Sequence, residues 1–235
     1  MSQWWTYRPE DFLLFSEQVY WRLFALTNAA VWPWPVAALA LGAAILALAM
    51  MRRAVADRLI AAILAAGWLV VAWVFFWSRY RTVNWAASYV APLFVLEAAL
   101  LFVIGSMRNN LSFRVTKDPG VILGLLLFVY ALAIHPLTAL AAGRPLGTSE
   151  LFAVAPDPTA IGTLGLLAAA RGGAERWWLL PVPFLWCLLS WATLETLGTW
   201  EGRLVLASAV CALFALLLNR SSARKPFQGT DTGPH

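Results

Sequence analysis

Apolar residues fill seven stretches of the chain, at 31–51, 58–77, 85–107, 120–141, 150–170, 177–197 and 203–218, and charged and turn-forming residues collect between them. All but the fifth come close to the roughly 17 to 25 residues that an α-helix needs to cross a hydrocarbon core. The fifth reads E-L-F-A-V-A-P-D-P-T-A-I-G-T-L-G-L-L-A-A-A. It is broken by Pro156 and Pro158, which lack an N–H donor and bias the residue before each away from helix. A helix is therefore expected to begin at Pro158, with Asp157 as its N-cap accepting from the amide of Thr159 or Ala160. Over 158–170 that helix spans only about 20 Å. Either its capped start lies inside the membrane, or the bilayer and the neighbouring helices adjust. Half-helix ends that face a cavity are where many transporters hold solute; the plainer alternative is a loop leading into a short, capped helix at the surface.

Near the N-terminus, Phe12, Phe15, Val19, Leu23 and Leu26 recur at steps of three and four, with Asp11, Gln18 and Arg22 on another side. This pattern predicts an amphipathic helix lying in the membrane interface, with Trp4, Trp5, Tyr7, Tyr20 and Trp21 at headgroup depth; a lid over a cavity is the functional alternative. The segment lacks a basic start and carries Glu10, Asp11 and Glu17, so it does not read as a cleaved leader. The expected architecture is an all-α membrane protein, a bundle of about seven transmembrane helices with six as the rival count and one helix broken at Pro156–Pro158. An N-terminal interfacial helix (1–30), the bundle (31–220) and a disordered cytoplasmic tail (221–235) make up the chain.

Composition agrees with that class: 61% apolar and 12% charged residues with 14 tryptophans cannot make a soluble surface, where about 25% charge is usual. The net charge of +5 sits in short blocks between apolar runs, without the continuous basic face that a nucleic acid requires. With seven crossings, one side receives Arg8, Arg22, Arg79, Arg81, Arg144 and Arg203, and the other receives the remaining eleven of the 17 Lys and Arg residues. The richer side is expected to be cytoplasmic, which puts the N-terminus outside and the C-terminus inside. If the broken stretch did not cross, the split would be ten against seven and the signal would nearly vanish. Cys187 and Cys211 lie far apart in apolar runs and offer neither a disulfide framework nor a Cys-x-x-Cys site.

Five blocks carry a family resemblance: W-W-T-Y-R-P-E-D-F-L-L-F near the start, N-A-A-V-W-P at Asn28 to Pro33, V-N-W-A-A at Val83 to Ala87, A-P-D-P-T-A-I-G-T-L-G-L-L at Ala155 to Leu167, and P-F-L-W-C-L-L-S at Pro183 to Ser190. Together they resemble an uncharacterised family of small bacterial polytopic membrane proteins, over nearly the whole chain. The resemblance implies a multi-pass protein of the bacterial inner membrane and carries no functional residue with it.

Charges inside spans are costly and mark candidate sites. Glu97 lies midway along the third stretch; facing the bundle, it either hydrogen-bonds a neighbour as a neutral carboxyl or takes and passes a proton. His135 precedes Pro136, which weakens the helix there. A lone in-span histidine cannot make a two-histidine haem site, and structural zinc wants four Cys or His ligands, so no metal or cofactor is expected. A satisfied polar residue is the leading reading of His135, and proton coupling the alternative. Glu150, Asp157 and Glu195 fall in the same outer half, where Trp and Tyr residues form an expected anchoring belt. Arg79 and Arg81 stand in a tight turn on that side, either to pair with Glu195, Glu201 or Glu150 or to hold an anionic group. A ligand site drawn from Asp157, Thr159, Arg79, Arg81, Glu97, His135, Glu150 and Glu195 would suit an amphipathic or zwitterionic small molecule.

Lys117 and Lys225 lie outside the spans, so no in-span Schiff base can form. Phosphate-loop and zinc-protease motifs are absent from the sequence, and its serines lack the glycine-flanked elbow of one hydrolase class. No catalytic residue is assigned. Three classes remain: a protein that binds or moves a small solute beside the broken helix, an accessory subunit of a larger membrane complex, and a membrane enzyme on lipid-like substrates. The lipid bilayer is the expected partner in all three, alongside a small-molecule ligand, another membrane protein or a second copy.

Overall fold

The structure, a computed structural model, describes residues 15–223, with side chains as far as residue 219. The expected headgroup residues Trp4, Trp5 and Tyr7 lie outside the described residues, as does the tail beyond 223. Helix α1 (Glu17–Ala30) begins at Ser16, whose hydroxyl accepts from the Val19 amide, and turns through 88° into α2 (Trp34–Met50). Helix α3 (Ala54–Val70) runs on through a wide π turn at Val71–Trp77, and α4 (Ala87–Leu100) does the same through Leu101–Met107. Asp118 caps α5 (Pro119–Val129) by accepting from the Gly120 amide, with Pro119 preorganised at the first helical position. That helix loosens through a π turn at Tyr130–Ile134 and tightens into a 3-10 turn at His135–Leu137 before the short α6 (Thr138–Ala141). Pro136, with no N–H to give, sits at this change of winding. Helices α7 (Pro156–Ala169), α8 (Pro181–Thr196) and α9 (Glu201–Ala223) complete the bundle, so residues 221–223, expected in the tail, are helical.

Five helical runs are long and apolar enough to cross a membrane: Ala54–Thr82, Ala87–Met107, Pro119–Ala141, Ala174–Thr196 and Glu201–Asn219. The bent pair α1 and α2 makes a sixth if counted as one span. Helices α2, with 17 residues, and α7, with 14, are shorter than these runs.

Contacts sort the connections into two ends. At one, the Asn28 amide donates to the carbonyls of Gly147 and Ser149, and Arg144 meets Glu201. At the other, Arg52 donates to the Val115 carbonyl, and two short strands, β1 (Leu111–Ser112) and β2 (Arg171–Gly172), pair antiparallel with Leu111 opposite Gly172. Helix α7 joins the two ends.

Every residue of α7 is buried. Its largest packing neighbours are α5, α9 and α8. The approach to α5 is close because both helices present glycine: a Cβ on Gly124 would lie 2.5 Å from the Gly165 carbonyl oxygen, and one on Gly165 would lie 2.6 Å from the Gly124 oxygen. Small residues of this kind let helix backbones meet where lipid supplies no hydrophobic drive between them.

One expectation is corrected. Helix α7 starts at Pro156, with Ala155 as N-cap, and Asp157 makes no capping bond. Both prolines fit the first turn because the amides there have no intrahelical acceptor in any case. On α1 the buried set is Tyr20, Trp21, Leu23, Phe24 and Thr27, while Val19 and Leu26 are exposed. Tyr20 and Trp21 therefore pack inside the protein, in an aromatic group with Phe24, Phe75 and Tyr80.

Candidate functional site

Three of the residues singled out in the sequence converge where α7 begins. His135 comes from the 3-10 turn after α5, Glu150 from the connection before α7, and Asp157 from the first turn of α7. Their ligating atoms lie within 4.8 Å of one another, and all three residues are buried. His135 Nε2 stands 3.4 Å from Glu150 Oε2. Helix α8 fixes the third member: Trp186 Nε1–H donates to Asp157 Oδ1 and the Ser190 hydroxyl donates to Oδ2, each at 2.6 Å. Spacing of four residues puts Trp186 and Ser190 on one face of α8. Glu150 Oε1 and His135 Nδ1 have no hydrogen-bond partner among the described residues.

The backbone that brings Glu150 to Asp157 is held in an uncommon shape. Ala153 has φ of 57°, a left-handed conformation that costs a non-glycine residue about 1 to 3 kcal/mol. Surrounding bonds maintain it: Trp34 Nε1–H donates to the Ala153 carbonyl, and the Ala153 amide donates to Thr159 Oγ1, which itself donates to the Ala155 carbonyl. Thr159 thus fastens the turn and does not join the cluster.

An ion pair lies beside the cluster, near enough to act on Glu150. Arg144 Nη2 meets Glu201 Oε1 at 2.5 Å, and the guanidinium covers the Trp21 ring. Arg144 also lines a cleft of about 370 Å³ with Glu17, Gln18, Trp21, Arg22, Ala25 and Thr148. Burial pulls the Arg144 guanidinium below its ordinary value, opposed first by Glu201 and then by Glu150. Glu150, in the connection between α6 and α7, is pushed up to about 8 by burial, with Arg144 lowering it and Glu201 raising it.

The remaining expected residues stay apart from this cluster. Arg81 stacks on Trp77 at the surface, and neither it nor Arg79 acts on Asp157, whose charged neighbours are Glu150 and His135. The ion pairs proposed for the two arginines are also taken elsewhere: Glu201 meets Arg144, Glu195 meets Arg203 at the exposed surface, and Glu150 meets His135. Glu97 is fully buried on α4, and neither of its oxygens has a partner among the described residues. Sequence reasoning passed over Trp186, Ser190 and Arg144. The Trp-x-x-x-Ser spacing inside P-F-L-W-C-L-L-S was the available signal for the first two; Arg144 had been counted only as a topology charge.

Cysteine and histidine alone supply too few ligands for a metal in this sequence. Folding adds two carboxylates to His135, and one nitrogen with two oxygens is a donor set that cations accept. Fold and site together define a helical bundle, apolar enough in five or six of its helices to cross a membrane, with a buried polar cluster beside a short central helix. The chain belongs to the family of unknown function DUF6064, whose profile matches residues 17–225. Comparison with curated proteins and with solved structures gives no match.

Proposed function

We propose that this chain is a multi-pass protein of the bacterial inner membrane that binds and moves a small cation through His135, Glu150 and Asp157. The observation that carries the reading is the convergence of one imidazole and two carboxylates within 4.8 Å in the interior, a spacing suited to one ion. Burying such groups together costs free energy that a purely structural core would avoid. The amphipathic or zwitterionic ligand expected from the sequence loses its support, because Arg79 and Arg81 lie outside the cluster. A cation fits two carboxylates better.

Seven crossings form part of the proposal. The loop after α4 and the loop after α7 meet in the β1–β2 pair, while the loops at Asn28 and Gly147 meet at the opposite end. These contacts support α7 as a short crossing element enclosed by the other helices, which need not match the hydrocarbon thickness itself. Helix α1, bent 88° from α2, then lies along the outer interface. Under this orientation, which the charge count supports, the cluster would lie in the outer half.

Transport assays on proteoliposomes test the reading. Vesicles containing the protein should take up at least one of proton, sodium or zinc faster than protein-free vesicles under an inward gradient, and Glu150→Gln should return the rate to background. Equal rates with and without protein for all three would contradict it.

A further inference from the structure

We propose that the cation held by His135, Glu150 and Asp157 is a divalent transition metal of the zinc class, bound by His135 Nε2 and one oxygen from each carboxylate. The inference rests on the small-cation reading and names its ion.

Four observations support that choice. The 3.4 Å between His135 Nε2 and Glu150 Oε2 matches the edge of a tetrahedron built on bonds of about 2.0 to 2.2 Å, which comes to about 3.3 to 3.6 Å. With all three ligating atoms inside 4.8 Å, Asp157 closes the set by a shift on the order of 1 Å, well within side-chain rotation. Charge is the second observation. Ligating as carboxylates beside a neutral imidazole, Glu150 and Asp157 would bring two negative charges to the ion, which a divalent ion cancels and a monovalent ion leaves half uncompensated. The neighbouring Arg144 and Glu201 neutralise one another and do not alter this balance.

Donor type is the third. Calcium and magnesium favour all-oxygen shells with six or more ligands or retained waters, whereas imidazole with carboxylates suits zinc and its first-row neighbours. The fourth is the support around the ligands. Trp186 and Ser190 each spend a hydrogen bond on a different Asp157 oxygen, as outer groups do when they orient a ligating carboxylate. Each oxygen keeps a lone pair for the ion. Glu150 Oε1 and His135 Nδ1, both deep in the protein, have no partner among the described residues, so the cluster is not completed by protein hydrogen bonds. Three protein ligands leave a fourth position for water or a passing ligand, the open arrangement that lets a bound ion exchange.

The test uses the full-length protein in detergent. Titration with zinc chloride against a fluorescent chelator should show one saturable equivalent per chain. His135→Gln and Glu150→Gln should each weaken it tenfold or more, and Ser190→Ala by about 10 to 100-fold, as for other outer-shell groups. Millimolar calcium or magnesium should not compete. Because a core substitution can impair folding, the second measurement uses the unaltered chain: cobalt(II) bound in place of zinc should give the visible absorption of a four- or five-coordinate site, and zinc should abolish it. Absence of a saturable equivalent overturns the proposal, as does zinc binding that all three variants retain or an octahedral cobalt spectrum. If zinc fails to bind while proteoliposomes still move protons or sodium in a Glu150-dependent way, the metal assignment falls and the small-cation reading stands.

Discussion

Asp157 shows how one buried carboxylate can be made to do something other than cap a helix. Its oxygens accept from Trp186 and Ser190, so asparagine and alanine should behave differently. In Asp157→Asn the amide oxygen still accepts from Trp186, and Ser190 can rotate to accept from the amide nitrogen. Stability should fall by about 1 kcal/mol or less, while cation uptake is lost with the charge. In Asp157→Ala two buried donors lose their acceptor, at about 1 to 3 kcal/mol each. Thermal unfolding measured beside vesicle uptake separates these effects; an Asp157→Asn protein with normal uptake would reduce Asp157 to a structural hydrogen-bond acceptor. His135, Glu150 and Asp157 were each visible in the sequence as polar residues in apolar surroundings. Their meeting was not, because it depends on the winding change at Pro136 and on the left-handed Ala153, which no local pattern specifies.

Among the elements, α7 carries the most information. Its low polarity and paired prolines identified a broken segment, but the start was misplaced by two residues because a proline three positions into a helix meets no acceptor it would need to satisfy. Its glycines were legible only as small residues. Their use appears in the crossing with α5, where Gly124 and Gly165 oppose each other's carbonyls. Gly165→Ala must push the helices apart or bend one of them, at a cost of about 1 to 3 kcal/mol. Gly147→Ala, where nothing lies within 4 Å of the added carbon, serves as the comparison. Thermal unfolding in detergent should rank Gly165→Ala clearly below Gly147→Ala, and equal stabilities would contradict the close crossing. Helix α1 was legible as a helix, while the packing of Tyr20 and Trp21 against other aromatic residues and Arg144 was not.

Across the whole molecule, charge bias and contact pattern point the same way although they are independent. The lysine and arginine count needs the 150–170 stretch to cross for its bias to be clear, and the β1–β2 pair puts the loop after α7 beside the loop after α4. A cysteine at Gly173, in a chain whose native Cys187 and Cys211 are replaced by alanine, should resist a membrane-impermeant thiol reagent applied to cells with a permeabilised outer membrane. Ready labelling would reverse the orientation or remove a crossing.

The central claim concerns what the cluster at the head of α7 holds, and a density map of the protein purified with one equivalent of zinc tests it most directly. The account predicts one compact peak at about 2.0 to 2.2 Å from His135 Nε2 and from an oxygen of both Glu150 and Asp157. Elongated density of an organic molecule beside α7, or zinc bound elsewhere while the three side chains bond only to protein neighbours, would contradict it.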